Sequence, residues 1–145
     1  MPVIYSIDVP LNLIRTRCVG SVKLQDVLHH FKALERDPKI PKYLDVLLDL
    51  TENETLPDAG QVAAVADAVA AMRLRIQFGA CAVVAPTDAL FGMMRMFEAM
   101  AEGSFRITRT FRSIAEAETW LATHQPVAKP ASPEGVPPEG GRRQA

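Results

Sequence analysis

The chain has 145 residues, 48% of them hydrophobic and 23% charged, with a formal net charge of −1. That length can bury one hydrophobic core without disulfide or metal staples, and the near-neutral balance argues against nucleic acid or an anionic membrane as a partner. No apolar run approaches the ~20 residues of a membrane-spanning helix, and MPVIYSIDVP lacks a basic stretch followed by an apolar one, so no membrane span and a cytoplasmic location are expected.

In chain order, VIYSIDV (Val3 to Val9) and LNLIRTRCV (Leu11 to Val19) read as two strands separated by Pro10, an antiparallel hairpin. Leu24, Val27, Leu28, Phe31 and Leu34 then recur at helical spacing, on a helix that should stop near Asp37-Pro38. YLDVLLDL (Tyr43 to Leu50) is short and almost continuously apolar, as a strand buried on both faces must be. Val62, Val65, Val69 and Met72 form a stripe on an alanine-rich helix that begins near Pro57-Asp58. GACAVVAP (Gly79 to Pro86) is a second buried strand, and Thr87-Asp88 opens the next helix. Phe105 to Phe111 alternates as a last strand, and Ser113 with Glu116 forms an S-x-x-E box at the start of a helix carrying Trp120 and Leu121.

The order is ββαβαβαβα. Strands that alternate with helices need crossovers, so the fold expected is α/β, one domain with a mixed, mostly parallel sheet covered by helices. From Gln125 onward the chain holds five of the eleven prolines, three of the eight glycines and no aromatic residue. Such a segment buries too little apolar area to offset its ordering entropy, so the domain is expected over residues 1–124 and a disordered tail over 125–145.

The arrangement resembles the STAS fold and, more closely, the SpoIIAA-like family of bacterial STAS-type domains, often grouped with the CRAL-TRIO lipid-binding domains. The resemblance rests on Val19 to Pro38, VLLDLTENETLPDAGQ (Val46 to Gln61), VVAPTDALFGMMRMFEAMAE (Val83 to Glu102) and Phe111 to Leu121. It implies a module that works through protein contacts, and its CRAL-TRIO side implies lipid binding. Anti-sigma-factor antagonists of this fold are switched by phosphorylation of a serine after the central strand. Here Ala59 stands at that place, with Asp58 before it, so that switch is not expected; Thr51 and Thr55 lie just upstream.

LFGMMRMFEAM (Leu90 to Met100) packs four of the six methionines and two of the six phenylalanines into eleven residues. Projected at 100° per residue, Leu90, Met93, Met94, Phe97, Met100 and Ala101 share one face, Met96 lies on a flank, and Phe91 falls among Arg95, Glu98 and Glu102. The apolar arc exceeds one sheet contact, which makes Phe91, Met93, Met96 and Met100 a candidate interaction or ligand surface.

A second candidate is the crevice beyond the carboxyl ends of the parallel strands, where Thr51, Asp58, Thr87, Asp88 and Arg112 should gather. The sequence has no phosphate loop, nucleophile elbow or metalloprotease box. No catalytic residue, metal or cofactor is therefore expected, although Asp49, Glu52 and Glu54 form an acidic loop. Adjacent His29 and His30 diverge on their helix and cannot share an ion, while Cys18 and Cys81 read as packed, reduced thiols. The first expectation is thus a non-catalytic interaction module, a homodimer with a protein partner, showing an exposed patch at Phe91 or Met96 and no cavity. The alternative is a small apolar-ligand or lipid-binding module with a dry pocket. An enzyme acting at the crevice comes third.

Overall fold

The computed structural model describes residues 2–124. Its elements are β1 (Val3–Asp8), β2 (Leu13–Gly20), α1 (Leu24–Arg36), β3 (Tyr43–Asn53), α2 (Ala59–Met72), β4 (Gln77–Val84), α3 (Asp88–Met100), β5 (Ile107–Phe111) and α4 (Ile114–Thr123). This is the expected ββαβαβαβα order in an α/β fold. The tail expected over residues 125–145 lies outside the described residues. Among the described residues, no helix is long and apolar enough to cross a membrane.

The five strands lie in the order β1-β2-β3-β4-β5, with β1 antiparallel to β2 and every other pair parallel. The turn from β1 to β2 places Asn12 at φ 51°, a left-handed conformation that asparagine tolerates, and Asn12 N–H donates to the Val9 carbonyl at 3.1 Å. From β2 onward the chain moves one strand sideways at each crossover, always in the same direction. Right-handed crossovers that never reverse direction put their helices on one face. Accordingly α1, α2 and α3 lie side by side on one face, and α4 alone covers the other.

Alternation divides the residues between these faces. On β3, Leu44, Val46, Leu48 and Leu50 look toward the three-helix layer, while Leu47 looks toward α4. The α4 side is a thin, dry layer in which Ala80, Ala82 and Val84 of β4 meet Ala117, Trp120 and Leu121. Arg15 and Glu118 tie its outer edge by a two-pronged ion pair at 3.0 and 3.3 Å.

Several boundaries differ from the sequence reading; β2, for one, begins at Leu13 and not Leu11. Strand β3 runs on past Leu50, because Glu52 and Asn53 still pair with Val19 and Gly20 of β2. Strand β4 starts at Gln77, two residues before Gly79, with Gln77 already paired to Tyr43. Strand β5 begins at Ile107, two residues after Phe105, whose ring leaves the strand to pack 5.1 Å from Phe78 and 6.3 Å from Phe97.

Between β3 and β4 the register slips after Leu44, and the slip is filled by a carboxylate. Asp45 is 1% exposed and accepts from Ala80 N–H at 2.9 Å. A Cβ at Gly79 would overlap the Tyr43 hydroxyl and this carboxylate, so the site requires glycine.

Candidate functional site: an apolar cavity beneath the first two crossover helices

Helix α2 faces the sheet with Val62, Val65, Ala66 and Val69, and β2 answers with Ile14, Thr16 and Cys18. These side chains are short. A helix layer rests about 10 Å from its sheet, and valine, alanine, threonine and cysteine cannot close that distance from both sides. The space left over is a cavity of about 460 Å³. It is roughly three times the ~150 Å³ cavity that holds benzene, and it falls within the ~300–1,000 Å³ of small-molecule sites.

Four elements supply most of the wall: Val27, Phe31 and Leu34 from α1, Val62, Val65 and Val69 from α2, Val46 and Leu48 from β3, and Leu90, Met94 and Phe97 from α3. Val46 and Leu48 belong to the middle strand of the sheet yet remain only half-buried, because they border this space. The polar lining residues near the strand ends mark the opening. They are Ser21 and Lys23 before α1, Asn53 at the end of β3, Thr55 just after it, and Gln61 in the first turn of α2. Thr55 clasps the two loops together: its hydroxyl accepts from Val22 N–H at 3.2 Å and lies 3.1 Å from both the Val22 carbonyl and Asn53 Oδ1. Leu56, 58% exposed, stands at the same rim.

One imidazole looks into the apolar interior. His30 is 8% exposed and lines the cavity, whereas His29 beside it is exposed to solvent. The His30 ring packs edge-on against Tyr5 at 5.2 Å and near Phe31 at 5.6 Å. Tyr5 is held in turn by Asp37, whose Oδ2 accepts its hydroxyl at 2.7 Å. That bond, followed by burial and the carboxylate's charge, raises the Tyr5 pKa to about 12. Burial pushes the His30 pKa down to about 4, so the ring is neutral at physiological pH. Both thiols also line the space. Burial and then the Asp49 charge raise Cys18 to about 11, and burial followed by the charges of Glu98 and Asp45 pushes Cys81 higher still. Thiols so far from ionising are wall material, not nucleophiles.

The sequence reading weighs His30 only as a metal ligand, though a signal for its burial is present in the sequence. Val27, His30 and Leu34 follow one another at spacings of three and four, so the imidazole belongs to the apolar stripe of α1.

The candidate surface on α3 divides into two flanks. Phe91 is half-buried beneath Arg112, whose guanidinium lies 4.3 Å from the ring centroid. Glu98, on the same flank, bonds the buried Thr110 hydroxyl of β5, so it faces the sheet edge and not the outer surface that the projection gave it. Helical spacing puts Met93, Met96 and Met100 on the opposite flank, toward α2. Met93 and Met96 are half-buried and Met100 is 42% exposed. Phe91 thus shares no patch with the three methionines. The face that borders the cavity carries Leu90, Met94 and Phe97.

The crevice residues are engaged locally. Thr51 bonds Asp49 Oδ1 through both its amide and its hydroxyl, at 2.9 and 2.7 Å. Asp58 caps α2 and exchanges bonds with Gln61 at 2.8 and 2.9 Å. Thr87 caps α3, and Asp88 pairs with Arg112 at 2.8 Å. Only Asp88 and Arg112 are brought into mutual contact. Ligand crevices form where a strand order reverses, and this order runs straight across, so open space collects under the helix layer instead. Among the described residues, no group of three His, Cys, Asp or Glu side chains could hold a metal. In comparison with known proteins, the chain matches no family model and no curated protein.

Proposed function

We propose that this chain is a binding module for a small, largely apolar molecule, taken up between the sheet and helices α1 and α2. The observation that carries this reading is the 460 Å³ cavity with an almost wholly aliphatic and aromatic wall. An apolar guest gains about 25 cal/mol for each Å² it removes from water, so such a wall favours a hydrocarbon-rich ligand over water or a polar metabolite. Element order and the alanine-rich helix after the central strand support grouping the chain with STAS-type domains, and the cavity favours their lipid-binding kin. A homodimer or a protein partner working through α3 stands second, because the apolar surface there is divided and its phenylalanine is covered by Arg112.

The test is titration with N-phenyl-1-naphthylamine, an uncharged dye that fluoresces when desolvated. Wild-type protein is expected to bind it in a saturable 1:1 fashion. Val65→Phe projects a ring from α2 into the space and is expected to weaken binding at least tenfold, without lowering the unfolding midpoint. Equal binding by both proteins would place the dye elsewhere and overturn the reading.

A further inference from the structure

Resting on the reading of the cavity as a ligand site, we infer that Thr16 and His30 form an internal polar anchor that selects a guest carrying an uncharged oxygen, a hydroxyl or a carbonyl, at its buried end. Thr16 is 4% exposed and His30 8%. Both line the cavity, and neither the hydroxyl nor the imidazole hydrogen-bonds to another described residue. Tyr5 adjoins both. Tyr5 is the cross-strand partner of Thr16 on the antiparallel pair, and the Tyr5 ring is also the one that packs on His30. Directly opposed residues on one sheet face have Cβ atoms about 5 Å apart, so Tyr5 borders Thr16 at its backbone end and His30 at its ring.

Two polar groups without a protein partner, opening into the same apolar space, favour a guest that brings a complementary polar atom. Their chemistry narrows the choice. A neutral imidazole offers one N–H donor and one lone pair, and the threonine hydroxyl offers one donor and two lone pairs. A guest hydroxyl can give to one and take from the other, and a guest carbonyl can accept from both. A carboxylate would be stranded, because the one charged residue along the cavity wall is Lys23, at the rim. The guest therefore enters oxygen-first, with its chain trailing toward the loops held by Thr55.

The experiment compares 1-octanol with octanoate at pH 8, each displacing N-phenyl-1-naphthylamine from the full chain. Octanol is expected to bind at least tenfold more tightly than octanoate. Thr16→Val and His30→Phe should each weaken octanol about tenfold relative to any change in dye affinity, and a cooperative thermal unfolding transition shows that each variant folds. His30→Gln keeps a neutral donor and acceptor and should retain the preference for octanol. Octanoate binding as tightly as octanol would overturn the anchor, placing the head group at Lys23. Unchanged octanol affinity in both Thr16→Val and His30→Phe would overturn it too, and in either case dye binding would leave the cavity reading standing. Failure of wild-type protein to bind the dye at all would remove both.

Discussion

At the residue scale, two buried polar side chains show opposite solutions to one problem. Asp45 receives the Ala80 amide freed by the slip between β3 and β4, so its removal should leave that N–H unpaired. Asp45→Ala is expected to cost about 1–3 kcal/mol, and Gly79→Ala roughly 3 kcal/mol because the new methyl meets the Tyr43 hydroxyl and this carboxylate. Urea unfolding of the two variants checks both figures. His30 lacks such a partner, and its stability effect depends on pH. Its pKa is near 6.5 in the unfolded chain and about 4 in the fold, so the unfolded state takes up the proton first. Stability is then complete above pH 6.5 and falls as the pH drops toward 4, by on the order of 3 kcal/mol in all. Comparing wild type with His30→Phe between pH 7 and pH 4 isolates this contribution from the carboxylates that titrate in the same range. The variant should show the smaller loss, and parallel curves would contradict a buried neutral imidazole.

At the scale of elements, the legible features were those with a strong local period. The four helices and five strands follow from apolar spacing and from caps at Asp58, Thr87 and Ser113, each of which accepts the amide three residues on. Where the sequence misled, a contact from another element had decided the outcome. Glu98 reads as solvent-facing on α3 but is turned toward β5 by Thr110, and Phe105 reads as strand but is drawn out by Phe78 and Phe97. Phe91 reads as an exposed apolar residue, yet Arg112 covers it. That lid lies on the surface and pairs with the highly exposed Asp88, so Arg112→Ala should cost less than about 1 kcal/mol. A larger loss in thermal unfolding would mean that Phe91 needs its cover to fold. The Thr55 clasp is more consequential. Thr55→Val deletes the acceptor for Val22 N–H and should cost about 1–2 kcal/mol while raising hydrogen exchange in the loops at the cavity mouth.

At the scale of the whole molecule, the cavity was invisible to any reading that treats apolar residues as core. Hydrophobic spacing tells which face of a helix turns inward, but it does not tell whether the inward side chains meet. Here α2 and β2 carry many short or polar residues toward the same space, and only their three-dimensional sum leaves a void. The greasy α3 drew attention in the sequence because its composition is extreme, yet it provides one wall among several. His30 looked like half of an unremarkable pair and proves to be the ring that reaches the interior. Crossovers that never reverse explain the rest: they stack three helices on one face, deny the sheet a switch point, and place the cavity between layers.

The most direct test of a ligand-binding cavity is native mass spectrometry of the full chain purified without detergent or organic solvent, followed by solvent extraction of the same sample. The expected result is a bound species of roughly 15–20 non-hydrogen atoms, scaled from benzene in a cavity one-third this size, that leaves with the organic phase and is reduced in Val65→Phe. A bare chain that also takes up no apolar probe on addition would contradict it, and the cavity would then be only loose packing beneath the short-sided helix α2.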